Sequence, residues 1–127
     1  MHANYHDSAI FSEAIFDENI VLMNASFAGP VLCTNVSFKG EARVQRAKFD
    51  DYTNFYGSHF YKDAYFGWAE FNGLTWFNEA IFDKVAAFDN GKISGELECI
   101  QAAFNGRVNF MRTEFKNKSY FGDCKFR

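Results

Sequence analysis

The chain is 127 residues long, the size of one small domain. Hydrophobic residues make up 48% and aromatics 20%, which excludes a disordered chain. Thirteen Lys and Arg stand against 16 Asp and Glu, and this net charge of −3 is too balanced to predict binding to nucleic acid or an anionic membrane. Along the chain, apolar positions recur in alternating steps of six and five residues. They begin at Tyr5, Phe11, Phe16, Leu22, Phe27, Cys33, Phe38, Val44, Phe49 and Phe55. They continue through Phe60, Phe66, Phe71, Phe77, Phe82, Phe88, Ile93, Cys99, Phe104, Phe110, Phe115, Phe121 and Phe126. All 17 Phe of the chain lie on this ladder, which never slips.

A second lattice lies two residues before each ladder position, from Ala3, Ala9 and Ala14 to Thr113, Ser119 and Cys124. Its members are small or β-branched and none is charged. Two positions of the same character, two residues apart, are strand geometry, because alternate side chains share a face. An eleven-residue helical repeat fails on angle: at about 100° per residue, a five-residue step swings the next Phe by about 140°, off any single stripe.

The triplets Ala14-Ile15-Phe16, Ala25-Ser26-Phe27, Ala47-Lys48-Phe49, Ala69-Glu70-Phe71 and Ala80-Ile81-Phe82 resemble the motif of the pentapeptide-repeat family. The resemblance covers essentially the whole chain, residues 1–127, as a single domain. It implies an all-β fold, a right-handed quadrilateral β-helix in which each central Phe or Leu, and the small residue two before it, points inward. The chain departs from the family norm of five residues per face, since every second step has six. Four faces then make a coil of about 22 residues, with a cross-section expected to be oblong or distorted. Gly29, Gly40, Gly73, Gly95 and Gly106 all fall on the longer corner, where a positive φ is expected.

Stacking residue n on n+22 makes the columns explicit. One inward column is an unbroken ladder of Phe16, Phe38, Phe60, Phe82, Phe104 and Phe126; another runs Phe11, Cys33, Phe55, Phe77, Cys99 and Phe121. Cys33 and Cys99 lie three coils apart, roughly 14 Å at strand spacing and beyond disulfide reach. With Cys124 they read as reduced thiols of a cytoplasmic protein. An outward column of Asn4, Ser26, Lys48, Glu70, Lys92 and Glu114 alternates in charge over its last four members, which supports the register.

Two further outward columns are unexpectedly apolar. They present Ile10, Ile15, Leu32, Trp76, Ile81 and Tyr120, the candidate surface for a protein partner or a second copy of the chain. The repeat is already running at Tyr5 and still running at Phe126, so the chain is expected to be a fragment of a longer protein or to dock an end coil on another copy.

Some pentapeptide-repeat proteins bind type II topoisomerases such as DNA gyrase by presenting an acidic, DNA-like rod. That alternative needs a continuous carboxylate stripe, and here Asp17, Asp50, Asp51, Glu79, Asp83, Asp89 and Glu98 are interspersed with Lys39, Arg43, Arg46, Lys84 and Lys92. No catalytic motif is present, His59 has no carboxylate in its own column, and a Phe-filled interior leaves no room for a substrate. The expectation is a non-catalytic interaction module without cofactor, metal, small-molecule substrate, nucleic acid or membrane partner.

Overall fold

A computed structural model describes residues 7–127 in full and the backbone of Asn4–Tyr5. Ala3 and the Tyr5 side chain, the first members of the two lattices, lie outside the described residues. Among the described residues, twenty-three two-residue strands follow one another, all paired in parallel and arranged in four sheets. The first sheet runs from Asn4–Tyr5 to Glu114–Phe115 and the second from Ala9–Ile10 to Ser119–Tyr120. The third runs from Ile15–Phe16 to Lys125–Phe126 and the fourth from Ile20–Val21 to Val108–Asn109. The chain thus winds through five complete turns and most of a sixth, with about 22 residues per coil. Registers such as Glu70↔Lys92 and Phe60↔Phe82 place n on n+22 on every face.

Each coil contributes only two bonded residues per face, so a strand here has no stability of its own. Its amides find partners in the coils above and below, as in Ala64 N to Val85 O at 2.8 Å and His59 N to Val36 O at 2.9 Å. The inward Phe rings supply the packing. Along the third sheet, successive rings from Phe16 to Phe126 stack at 5.6, 4.6, 4.6, 5.1 and 5.2 Å between centroids. Those spacings are the strand repeat, so backbone pairing and ring stacking reinforce each other. Phe27, Phe49, Phe60, Phe66, Phe71, Phe77, Phe82 and Phe104 are fully buried. Each contributes roughly 2–3 kcal/mol by burial. The small lattice completes the core: Ala42, Ala64, Ala80 and Ala86 have no exposed surface. Thr53, Ser58 and Thr75 are also buried, and their hydroxyls donate to the Asp51, Cys33 and Gly73 carbonyls. One interior space among the described residues, lined by Phe11, Phe16, Ile20 and Leu22 among others, is an apolar void of about 20 Å³. It is water-sized, too small for a substrate.

The two corner types differ in a way the glycines do not announce. On the five-residue corner an i→i+3 bond closes the turn, as from Ala14 N to Phe11 O at 3.0 Å, with Glu13 at φ 68°. The same geometry returns every eleven residues, through Asn24, Asn35, Arg46, Gly57, Trp68, Glu79, Asn90, Gln101, Arg112 and Asp123. Positive φ at the third position alone is the mark of a type II turn. Gly29, Gly40, Gly73, Gly95 and Gly106 are not among the positive-φ residues, which corrects the expectation for the longer corner. Glycine stands there because the backbones of stacked corners nearly touch: a Cβ on Gly95 would sit 2.5 Å from the Gly73 carbonyl carbon, and one on Gly106 2.5 Å from that of Lys84.

Candidate functional site

An interior filled with Phe leaves recognition to the outward side chains. The structure scatters the six predicted surface residues over two faces. Ile10 pairs with Leu32 in the second sheet, and Ile15 lies in the next strand, round a corner from Ile10. Trp76 lies two coils beyond Leu32, with Asn54 between them, and Ile81 is separated from Ile15 by Ser37 and His59. Tyr120 is set apart from Trp76 by Glu98. Ile10, Ile15 and Tyr120 are exposed at 66%, 63% and 40%, whereas Leu32, Trp76 and Ile81 are half-buried.

What joins the members on the second sheet comes from the positions two before and two after each strand centre. Tyr52 meets Trp76 edge to face at 5.6 Å between centroids, and Leu74 precedes Trp76 on the same outward side. Tyr56 and Ile100 continue the apolar surface on the other flank. The signal was the same period-two rule that marks the inward lattice, applied outward. Tyr52 is held there by its neighbours: Asn54 Nδ2 donates to its hydroxyl at 2.8 Å, and burial pushes its pKa above the ordinary tyrosine value.

The third sheet holds a polar constellation that the column argument missed. His59 Nε2 lies 2.8 Å from Asp83 Oδ2. The imidazole stacks on Tyr61 at 3.7 Å between centroids, and Lys39 Nζ sits 5.2 Å over the Tyr61 ring. Asn105 Nδ2 donates to Asp83 Oδ1 at 3.3 Å. His59 therefore has a carboxylate partner after all, offset by 24 residues because the outward position two beyond Ile81 is diagonal to it. The contact with Asp83 and the stack on Tyr61 fix the orientation of the imidazole.

Charge elsewhere is interleaved. The alternating column of the first sheet is in the predicted register, with Lys48↔Glu70↔Lys92↔Glu114. The ion pairs nevertheless run along the strands, as Lys48 to Asp50 at 3.9 Å, Glu114 to Lys116 at 3.9 Å and Glu41 to Arg43 at 2.7 Å. The three cysteines are free thiols. Burial pushes Cys33 up to about 12 and raises Cys99 and Cys124 as well, so none is poised as a nucleophile. Among the described residues no three His, Cys, Asp or Glu side chains are grouped to hold a metal ion, and no helix is long and apolar enough to cross a membrane.

Four stacks of parallel two-residue strands around one aromatic core define a β-solenoid, a structural repeat protein. A family model of pentapeptide repeats (9 copies) matches residues 45–92, the central coils, and the same lattice continues on either side. Over these central coils the chain is similar to the pentapeptide-repeat family. No curated protein and no solved structure matches it.

Proposed function

We propose that the rod is a non-catalytic interaction module that engages a protein partner, or a second copy of itself, through the second sheet. The observation that carries this reading is the outward side of that sheet, where Tyr52, Leu74 and Trp76 stand together, with Ile10 and Leu32 beyond Asn54 on one side and Tyr120 beyond Glu98 on the other. Leu74, Tyr56 and Ile100 are each more than a third exposed there. Aromatic and aliphatic side chains on a pre-formed sheet bury area on contact with little ordering cost. Salt-paired and interspersed acids favour this apolar contact over imitation of the uniform charge of DNA.

The test compares the wild-type chain with the double variant Trp76→Ala, Leu74→Lys. Sedimentation across a concentration series reads self-association, and binding to a partner recovered by the wild-type chain reads recognition. The variant is expected to weaken one of these at least tenfold, about 1.4 kcal/mol, with little dependence on salt and an unchanged circular dichroism spectrum. Unchanged sedimentation and unchanged partner binding would overturn the proposal. Inhibition of DNA supercoiling that persists in the variant and fades with salt would favour topoisomerase binding instead.

A further inference from the structure

The fourth sheet, unlike the second, is interrupted. Its outward column runs Val21, Arg43, Tyr65, Ala87 and Asn109, so a methyl group stands where its neighbours carry long side chains. Gly67, on the flank of the same face, adds no side chain at all. The Asp89 carboxylate lies over Gly67, 3.2 Å from where a Cβ would stand, and beside the short Ala87 side chain lies a hollow of about 320 Å³ on the outside of the rod, within the size range of small-molecule sites. Ala87 and Val85 give it an apolar floor, and Tyr65, Trp68 and Asn109 also line it.

Two features mark this hollow. Trp68 stands at the left-handed corner position that recurs every eleven residues, and its indole remains 52% exposed. Arg46 covers its ring at 5.1 Å, and the indole still lines the hollow. Second, Asp89 and Arg107 both line the hollow and carry opposite charges, but neither forms an ion pair with the other or with any other described residue. Asp89 receives one bond, from Asn90 Nδ2 at 3.3 Å. They stand on opposite flanks of the face, one coil apart, with Ala87 between them.

A carboxylate on one side, a guanidinium on the other, and an apolar floor with an aromatic wall between them complement one kind of small molecule. We infer that the hollow binds a free α-amino acid with an apolar or aromatic side chain, its ammonium toward Asp89, its carboxylate toward Arg107 and its side chain against Trp68 and Ala87. Charge-assisted bonds at both ends fix orientation, and the ring contact supplies most of the burial. Asn109 Oδ1 already accepts from the Met111 amide at 2.8 Å, which leaves its NH₂ to donate to the ligand carboxylate.

The probe is L-phenylalanine titrated into the full chain, followed by amide and Trp indole NMR shifts. Comparators are phenylalaninamide, which lacks the carboxylate, N-acetylphenylalanine, which lacks the ammonium, and glucose, which is neutral. Phenylalanine should saturate shifts at Trp68 and Ala87, with each capped form bound about tenfold more weakly. Asp89→Asn should erase the preference for phenylalanine over N-acetylphenylalanine, and Ala87→Leu, which fills the hollow, should abolish binding of all of them. A melting temperature kept by both variants separates lost binding from lost fold. No shift up to roughly 10 mM ligand, a range in which even a very weak site of about −3 kcal/mol half-fills, would overturn the inference. So would equal binding of the capped forms or of glucose. Because the hollow lies on a different sheet, Trp76→Ala should leave these shifts unchanged, so this test and that of the contact face succeed or fail separately.

Discussion

At Asp83, burial pushes the carboxyl pKa up, while hydrogen bonds from His59 and Asn105 pull it down, and the bonds win. A carboxyl depressed in the folded state binds its proton less readily there than in the unfolded chain. Its stabilisation is present above the unfolded value of about 3.9 and is lost as the pH falls through the folded one. Asp83→Asn is therefore expected to flatten the acid limb of stability. Thermal melts between pH 6 and 3 should show the wild-type midpoint falling more steeply below about pH 4 than that of the variant, and parallel curves would contradict this. His59 was legible as an outward imidazole, but not its partner. Reasoning by columns compares n with n±22, whereas side chains of this length also meet diagonally.

The elements of the solenoid are its corners as much as its strands. The alternation of five and six residues is plain in the sequence, but the positive φ expected at the long-corner glycines falls on the short corner instead. The short corner carries the left-handed residue and tolerates Glu, Asn, Arg and even Trp there, because the bonded turn and the stacked coils over-determine it. The long corner uses glycine for clearance, a property of two coils together that a single stretch of sequence does not display. Gly95→Ala should accordingly destabilise the chain by about 1–3 kcal/mol through forced backbone movement. Gly122→Ala, whose new methyl would meet only Ile100 Cγ2 at 4.0 Å, should be close to neutral. Equal denaturant midpoints for the two variants would show that corner clearance is not what glycine provides.

Over the whole molecule, burial is graded from the centre toward the last coil. Phe60 is 1% exposed and stacked on both sides, while Phe126, in the same column, is 61% exposed. Phe60→Ala should cost about 3–5 kcal/mol and Phe126→Ala far less, as read by chemical denaturation; similar losses would mean that the column does not share its packing as described. Inward order was legible because every Phe obeys one rule. The outer surface was legible only in part. The contact face depends on flanking residues such as Tyr52 and Leu74, and the hollow depends on the shortness of Ala87 between longer neighbours, which no motif announces.

The amide-to-carbonyl bonds that join the coils, such as Thr53 N to Leu74 O and Lys92 N to Ala69 O, point along the rod and not across it. A load applied between the two ends therefore pulls on each bond in line, and it can open one coil's set before the next begins to yield. A load applied across the rod meets covalent chain running round all four sides. The molecule is built to be stiff when pressed or twisted from the flank, and to pay out length turn by turn, like thread from a spool, when drawn from its tip.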